Sequence, residues 1–304
     1  RISTGSFGTI YEVLSEDDNR VYALKELTNI DTVTKQRFER EIQVLSQLDH
    51  PNIVKIIQWN IGGDPPNFYP YYVMEYLSGG SLKDHMNEKF QSDDKYYFDV
   101  KWTISRIILP VCNALAQAHS SNIYHRDLKP SNIMFTDATK TTIKITDWGL
   151  VKGEDYATGS NNSDNSNNAS AINLDRKSLE LTAIAGEGNI GGTPDYCSPE
   201  QWFATVNNNT VNNNRLNDGR ADIFSLGIIF YEMLTRRRPP PYDPNNINKS
   251  RSVAVEPPSK YNPLVSPQLD QCILKMIDLD PENRQQSIWD LISEIETLPD
   301  QSLK

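Results

Sequence analysis

Eight consecutive residues near the middle of the chain, HRDLKPSN from His125 to Asn132, combine side-chain types that catalysis uses. Asp127 and Lys129 alternate along the chain, so an extended or looped backbone places them on the same side. Asp127 can then accept a proton while Lys129 neutralises negative charge that develops nearby. Asn132 adds a neutral oxygen ligand. The stretch predicts a loop that takes part in chemistry.

A second polar stretch, IKITDWGL from Ile143 to Leu150, ends an apolar strand with Asp147, and Gly149 follows where the backbone can turn. An aspartate and an asparagine oxygen that converge on one point suit a hard cation. Magnesium with retained waters and nucleotide phosphates is the usual occupant. Two unrelated turns rich in Asp and Asn would explain either stretch if it stood alone.

Two stretches near the start suggest phosphate binding. Lys25 lies in the apolar run VYALKEL, where an ammonium group is costly unless it has a partner, and Glu41 on a predicted helix could be that partner. A strand lysine that faces solvent is the alternative. The segment ISTGSFGTIYEV contains Gly5 and Gly8, which let backbone N–H groups approach phosphate oxygens. A short hairpin turn explains these glycines equally well.

The composition limits the classes of protein and partner. The 304 residues carry a formal net charge of -10, and the pI is about 5.0, which argues against an obligate nucleic-acid or anionic-membrane surface. Three widely spaced cysteines predict neither a disulfide framework nor a zinc site, and they favour a reducing compartment. No apolar run reaches the roughly 18 residues of a membrane span. Because the sequence starts at Arg1, we interpret it as a fragment whose lost flanks could carry an anchor.

The hydrophobic patterns divide the chain into a strand-rich part and a helical part. Predicted strands cover Val21–Leu27, Ile53–Ile61 and Tyr71–Leu77, and an amphipathic helix covers Lys35–Leu48. After Gly79 and Gly80 the pattern becomes helical. The main helices are predicted at Trp102–His119 and Ala221–Leu234, and Asn-rich insertions near 157–173 and 206–218 are predicted to be mobile loops.

Taken in order, these stretches resemble the signature set of the protein kinases, across essentially the whole chain. The family's Gly-rich loop, V-A-I-K, H-R-D-L-x-x-x-N, D-F-G and A-P-E correspond here to STGSFG, YALK, HRDLKPSN, DWG and SPE. The resemblance implies an α+β, two-lobed fold. A small antiparallel-sheet N-lobe with one main helix would span 1–78, and a larger, mostly helical C-lobe would span 79–304.

The resemblance also assigns roles to individual residues. Lys25 would bind the α- and β-phosphates of ATP and pair with Glu41, while Asp127 would accept or orient the proton of the substrate hydroxyl. Lys129 would stabilise the transferring γ-phosphoryl group. Asn132 and Asp147 would hold Mg²⁺, with Mn²⁺ as an alternative ion. The full nucleotide-binding set implied in this way is Ile2, Gly5, Ser6, Phe7, Gly8, Ile10, Ala23, Lys25, Met74, Glu75, Leu77 and Met134.

Further matches concern the fold and the substrate. Glu200 would pair with Arg284, Asp222 would fix the backbone of the catalytic loop, and His125, Trp148 and Leu45 would form a stacked apolar column. Lys129 and Thr193 resemble the serine/threonine-specific branch, with a turn threonine as the alternative for Thr193. Two departures are Ser3, in place of the first loop glycine, and Trp148, in place of the usual phenylalanine.

Arg126 directly precedes Asp127, an arrangement that in this family often accompanies control by activation-loop phosphorylation. Ser178 and Thr182 are candidate phosphosites. We also hypothesise that Glu187 is a permanent anionic partner of Arg126, which would reduce the dependence on phosphorylation.

The sequence therefore predicts a protein serine/threonine kinase that uses ATP and Mg²⁺ on protein hydroxyls, with autophosphorylation as a further expectation. We expect no nucleic-acid partner and no membrane contact within this fragment. The expected location is cytoplasmic, or the cytoplasmic side of a membrane if a lost flank carries an anchor. The alternatives are an ATP-binding pseudokinase scaffold, and a small-molecule kinase that the SPE segment and Thr193 disfavour.

Overall fold

The computed structural model describes residues 1–4, 8–28, 32–62, 69–93, 95–148, 195–206, 219–243, 250 and 252–299. These residues form two lobes, an N-terminal antiparallel sheet with one main helix and a mostly helical C-terminal lobe. The predicted α+β architecture is thereby confirmed. None of the described helices is both long enough and apolar enough to cross a membrane.

The N-terminal sheet has five strands in the order β1-β2-β3-β5-β4. Val21–Leu27 pairs along its whole length with the preceding strand and also pairs with the last strand, so Lys25 lies in the middle of the sheet. The strands are β1 Ser3–Thr4, β2 Gly8–Leu14, β3 Val21–Leu27, β4 Ile56–Asn60 and β5 Tyr71–Glu75.

The predicted strand Ile53–Ile61 is too long at its start, because β4 begins only at Ile56. Ile53 instead forms an isolated parallel bridge with Ile145 of the other lobe, and Val54 donates its N–H to the Ile145 carbonyl at 3.0 Å. These β-branched residues therefore connect the two lobes. Their high β-propensity alone cannot distinguish this role from a place in a strand of the sheet.

Helix α1 spans Thr32–Gln47 and packs its apolar face into the core. The predicted residues Phe38, Ile42 and Leu45 are all buried, and Leu48 is buried just beyond the helix end. The helix begins three residues before the predicted Lys35. Residues 32–34 lie outside the apolar repeat of Phe38, Ile42, Leu45 and Leu48 from which the helix was predicted. Hydrophobic periodicity therefore could not reveal this first turn.

The C-terminal lobe is built from helices and one small two-stranded sheet. Strands β6 (Ile133–Phe135) and β7 (Ile143–Ile145) form that sheet and follow the HRDLKPSN loop. The helices are α2 Leu82–Ser92, α3 Val100–Thr103, α4 Leu109–Ser120, α5 Pro199–Val206, α6 Arg220–Thr235, α7 Pro267–Met276 and α8 Ile288–Glu296. Short 3₁₀ turns cover Pro130–Asn132, Pro258–Lys260 and Pro281–Asn283.

The single helix predicted at Trp102–His119 is divided by a π-helical turn over Ile104–Ile108. The N–H of Leu109 bonds to the carbonyl of Ile104, five residues earlier. Pro110 follows directly, and in a regular α-helix its ring would clash with the carbonyl of Arg106. The wider turn before Pro110 accommodates the ring while the helix continues into α4.

Helix α6 forms the centre of the C-terminal lobe, with nearly every side chain buried. It extends the predicted Ala221–Leu234 by one residue at each end. The residue before it, Gly219, packs against the ring of His119, where a Cβ atom would overlap the imidazole. A helix that is apolar on all sides must be surrounded by protein. Asp222, near its start, is therefore a carboxylate buried in the centre of the lobe.

His85 on α2 gives the lobe a predicted pH response. Its ring is buried against Phe98, Trp102 and Phe135, with centroid distances of 5.5, 5.9 and 5.4 Å. Burial, followed by the charges of Lys140 and Lys89, lowers the pKa of His85 below 6.5, although nearby Glu88 opposes this shift.

The folded state therefore resists protonating His85, while the unfolded chain binds that proton below about pH 6.5. We expect the melting temperature to fall as the pH drops below this value. In a His85→Phe variant, calorimetry at pH 7 and pH 5 should show a smaller decrease, since phenylalanine suits the aromatic surroundings and does not titrate. An equal decrease in both proteins would contradict a contribution from His85.

Candidate active site

Lys25 joins the sheet, helix α1 and the strand end that carries Asp147. Its Nζ lies 2.9 Å from both carboxylate oxygens of Glu41 and 3.0 Å from Oδ1 of Asp147. The side chains of Lys25 and Glu41 are 13% and 5% exposed, whereas that of Asp147 is 53% exposed. The structure thus brings together three residues that are far apart in the sequence, and the Asp147 carboxylate reaches solvent in the cleft.

The charges in this cluster support one another. Burial alone would lower the pKa of Lys25, but the carboxylates of Asp147 and Glu41 raise it well above its ordinary value. In return, the charge of Lys25 lowers the pKa of the half-exposed Asp147 carboxylate. At neutral pH the ammonium group and the Asp147 carboxylate are therefore both ionised.

The HRDLKPSN loop gathers its polar groups around Asp127. Lys129 Nζ donates to Asp127 Oδ2 at 2.8 Å, and Asn132 Nδ2 donates to the Asp127 carbonyl at 2.8 Å. A longer bond of 3.3 Å joins Asn132 Nδ2 to Asp127 Oδ2. Among the residues that the structure describes, these side-chain bonds reach Oδ2 and the carbonyl of Asp127, and none reaches Oδ1.

Asp222 holds the backbone of this loop. Its carboxylate accepts bonds from the N–H groups of His125 and Arg126, at 2.9 and 2.7 Å, and from His119 Nε2 at 2.9 Å. Burial alone would raise the pKa of Asp222, but the bond from His119 and the surrounding donors lower it. Arg126 has a left-handed φ of 63°, a conformation that the buried acceptor stabilises.

The residues present fit a magnesium ion. The Thr146 N–H donates to the Asn132 carbonyl at 2.9 Å, so Asn132 adjoins the backbone that leads to Asp147. Asn132 uses its amide nitrogen on Asp127, while its Oδ1 accepts one long bond, from the Ser131 hydroxyl at 3.4 Å, and keeps a second lone pair for a cation. One amide oxygen and one half-exposed carboxylate suit Mg²⁺, which keeps several waters and binds substrate phosphates. Asp147 itself has a left-handed φ of 59°, directly at the end of β7.

The predicted nucleotide-binding residues that the structure describes line up along the cleft strands. Ala23 and Met74 are opposite each other on β3 and β5, and Ile10 is opposite Lys25. Ile2 is half exposed and donates its N–H to Ile10. Gly8 begins β2 so close to the Glu26 carbonyl that a Cβ atom would overlap it. Gly5, Ser6 and Phe7 lie outside the described residues.

The connection between the lobes carries further predicted nucleotide-binding residues. The Glu75 N–H donates to the Lys55 carbonyl at 3.1 Å. Leu77 follows β5 and packs partly buried against the core. Met134 lies on β6, where it bridges to Ser81 at the start of α2. Sequence analysis missed Lys144, whose Nζ lies 2.8 Å from Glu75 Oε1 and joins this connection to β7.

Two contacts implied for the fold are present. Arg284 Nη1 and Nη2 donate to Glu200 Oε1 and Oε2 at 2.7 and 2.9 Å. The rings of His125 and Trp148 lie 4.8 Å apart, and Trp148 is fully buried. Five residues named in the sequence analysis lie outside the described residues: Gly149, Ser178, Thr182, Glu187 and Thr193. The regulatory hypotheses, the turn at Gly149 and the substrate class assigned from Thr193 therefore stay predictions.

Sequence analysis also missed Gln201 and Tyr72. Gln201 follows the SPE segment; its Nε2 donates to the Arg126 carbonyl at 2.8 Å, and its Oε1 accepts from Ser198. Tyr72 donates its hydroxyl to Glu41. A lone Gln after SPE and a Tyr in an apolar strand carry no pattern that would distinguish them from ordinary packing residues.

Comparisons with known proteins agree with this geometry. The protein kinase domain family matches residues 1–294, and the chain belongs to that family. It is 29% identical to a probable serine/threonine-protein kinase of Clostridium perfringens over 98% of this chain. It is 30% identical to the probable serine/threonine-protein kinase nek2 of Dictyostelium discoideum over 93% of this chain, and 30% identical to the serine/threonine-protein kinase PrkC of Bacillus subtilis over 86%.

The chain spans only part of these relatives, namely 37%, 58% and 33% of their respective lengths. The matched part is the kinase domain, so the comparison concerns this domain and its site. Five sequence stretches indicated a resemblance to the protein kinases, and the comparisons confirm that the chain belongs to this family.

Proposed function

We propose that this chain is a protein serine/threonine kinase that transfers the γ-phosphoryl group of ATP to hydroxyl groups of protein substrates. The observation that supports this most strongly is the position of Lys25, within 3.0 Å of both Glu41 and Asp147. A scaffold that only bound nucleotide would have no need of this connected set together with Asp127, Lys129 and Asn132.

Each side chain has a distinct task in the proposed mechanism. Asn132 and Asp147 would hold Mg²⁺, and Lys25, oriented by Glu41, would bind the α- and β-phosphates of ATP. When bound, the ion would offset the negative charge of the phosphates, and ATP would supply the phosphoryl group. Asp127 accepts the proton of the substrate hydroxyl. Lys129 balances negative charge beside Asp127, so the protein contributes mainly positioning and electrostatic stabilisation.

The direct test is to incubate the chain with γ-labelled ATP and Mg²⁺, alone and with a generic basic protein, and to identify the labelled amino acids. We expect phosphoserine and phosphothreonine in the added protein, and also in the chain itself if it autophosphorylates. Nucleotide binding without any transfer would support the pseudokinase scaffold instead. Labelled phosphotyrosine alone would contradict the serine/threonine assignment.

We predict that Gln201 contributes to this activity by fixing the Arg126–Asp127 peptide. In the intact chain, the amide nitrogen of Gln201 lies 2.8 Å from the Arg126 carbonyl and donates to it. In Gln201→Glu, a carboxylate oxygen would replace this nitrogen and would have no hydrogen to donate. A buried acceptor that loses its donor costs about 1–3 kcal/mol. An increase of 1.36 kcal/mol in the activation free energy lowers a rate tenfold. If the cost of the lost bond appears in that barrier, kcat should fall roughly tenfold.

The matched control is Gln286→Glu, because Gln286 is exposed and donates to backbone carbonyls of residues 281–284 rather than to the HRDLKPSN loop. Steady-state rates of the two variants should differ clearly. If Gln201→Glu and Gln286→Glu both keep the kcat of the intact chain, the predicted effect on the loop is wrong.

A further inference from the structure

Tyr72 contacts both members of the Lys25–Glu41 pair. It lies on β5 directly opposite Lys25 on β3, and it is 1% exposed. Its hydroxyl donates to Glu41 Oε1 at 2.9 Å, and Lys25 Nζ lies 5.6 Å from its ring centroid. Burial and the charge of Glu41 raise the pKa of Tyr72 well above its ordinary value, so the hydroxyl keeps its proton and acts as a donor.

The same residue also contacts helix α1 at a second point. The rings of Tyr72 and Phe38 have centroids 5.2 Å apart and are tilted by 35°. Phe38 and Glu41 are three positions apart, so both lie on the face of α1 that meets the sheet. One tyrosine therefore holds the helix to the sheet through a polar contact and an aromatic contact on adjacent turns.

The hydrogen bonds of Glu41 show why the hydroxyl matters. Lys25 Nζ is 2.9 Å from each carboxylate oxygen, and Oε1 also receives the Tyr72 hydroxyl. A hydrogen bond to a charged group is stronger than one between neutral groups. A buried carboxylate that lacks hydrogen-bond donors destabilises the fold. The tyrosine hydroxyl thus supplies the one bond to this carboxylate, among these three, that does not come from Lys25.

We propose that Tyr72 is a positioning residue that holds helix α1 against the sheet and thereby sets Glu41 and Lys25 for phosphoryl transfer. This inference rests on the proposed kinase function. It adds a third member to the Lys25–Glu41 pair, and the contacts that carry it all lie within the N-terminal lobe.

The test compares Tyr72→Phe with Tyr231→Phe. Phenylalanine at position 72 keeps the ring against Phe38 and removes only the hydroxyl. Tyr231 is a matched control, since it is 2% exposed and its hydroxyl donates to the Glu256 carbonyl at 2.9 Å, in the other lobe. Steady-state kinetics are combined with hydrogen–deuterium exchange of peptides that cover residues 32–47.

We expect Tyr72→Phe to lower kcat about tenfold, as befits the loss of a bond to a charged group, with the KM for the protein substrate unchanged. Deuterium uptake in residues 32–47 should rise. Tyr231→Phe should change neither quantity. Unchanged uptake in Tyr72→Phe would overturn the inference, whether or not kcat falls. If the intact chain transfers no phosphate, the proposed function fails, while the exchange measurement still decides whether Tyr72 positions the helix.

Discussion

Replacing Asp147 with asparagine should reduce phosphate transfer about a thousandfold, because the change removes the charged ligand of the Mg²⁺ that we propose offsets the charge of the reacting phosphates. Lys25 holds the pKa of Asp147 below its ordinary value, so the intact side chain is fully ionised at neutral pH. Asparagine keeps the size of the side chain but loses the charge that a divalent cation needs.

Initial rates at increasing Mg²⁺ concentration would measure this effect, and nucleotide binding in EDTA would report whether the pocket stays intact. Asp137→Asn is the matched control, since Asp137 is an exposed carboxylate in the turn between β6 and β7. We expect full activity in the control and unchanged metal-free nucleotide binding in both. If Asp147→Asn retained more than a third of the intact rate, Asp147 would not be the metal ligand we propose.

Replacing Arg284 with methionine should cause the largest loss of stability. The Arg284 side chain is fully buried, and besides Glu200 it donates to the carbonyls of Asp278 and Arg220, at 2.7 and 3.0 Å. Its guanidinium carbon also lies 4.7 Å from the centroid of the Phe224 ring. Methionine would leave the Glu200 carboxylate, 13% exposed, without its cation.

Breaking a buried ion pair from one side costs about 3–5 kcal/mol. At roughly 2 °C for each kcal/mol in a protein of this size, the melting temperature should fall by about 6–10 °C. The double variant Arg284→Met with Glu200→Leu removes the stranded charge as well, so it should regain part of the loss. Calorimetry of both variants measures this, and a double variant no more stable than Arg284→Met would argue against a stranded carboxylate as the cause.

Local sequence patterns predicted the elements whose structure depends on near neighbours. Val21–Leu27 is a strand with the predicted bounds, because a β-branched and aromatic run in the middle of a sheet satisfies both packing and pairing. The apolar face of α1 was equally clear from its spacing. Periodicity could not show the π turn over Ile104–Ile108, since widening of the helix before Pro110 leaves the apolar pattern almost unchanged.

Only those site residues that belong to the ordered signature motifs of the protein kinases could be predicted from the sequence. Lys25, Glu41, Asp127, Asn132 and Asp147 were found through that order. The structure then joins Lys25 to Glu41 and Asp147, joins Asn132 to Asp127, and links the two groups by a bond from the Thr146 N–H to the Asn132 carbonyl. Tyr72, Gln201 and Lys144 act through contacts across the fold, and such pairs leave no trace in a single sequence.

The stretch Arg236–Arg238 illustrates the same limit. Three consecutive arginines resemble a basic surface patch, but each guanidinium has a structural contact. Arg236 donates to the carbonyls of Phe90 and Asp93, and Arg237 lies over the ring of Tyr261. Arg238 pairs with Asp195 and Glu232.

The most direct measurement of the central claim compares the intact chain with Asp127→Asn in incorporation of phosphate from radiolabelled ATP and Mg²⁺. Asparagine keeps the shape of the side chain that Lys129 and Asn132 contact, but it cannot accept the substrate proton. We predict steady incorporation by the intact chain and a loss of about 100-fold or more in the variant. Equal incorporation by both proteins, or none by an intact chain that binds ATP, would contradict a kinase site centred on Asp127.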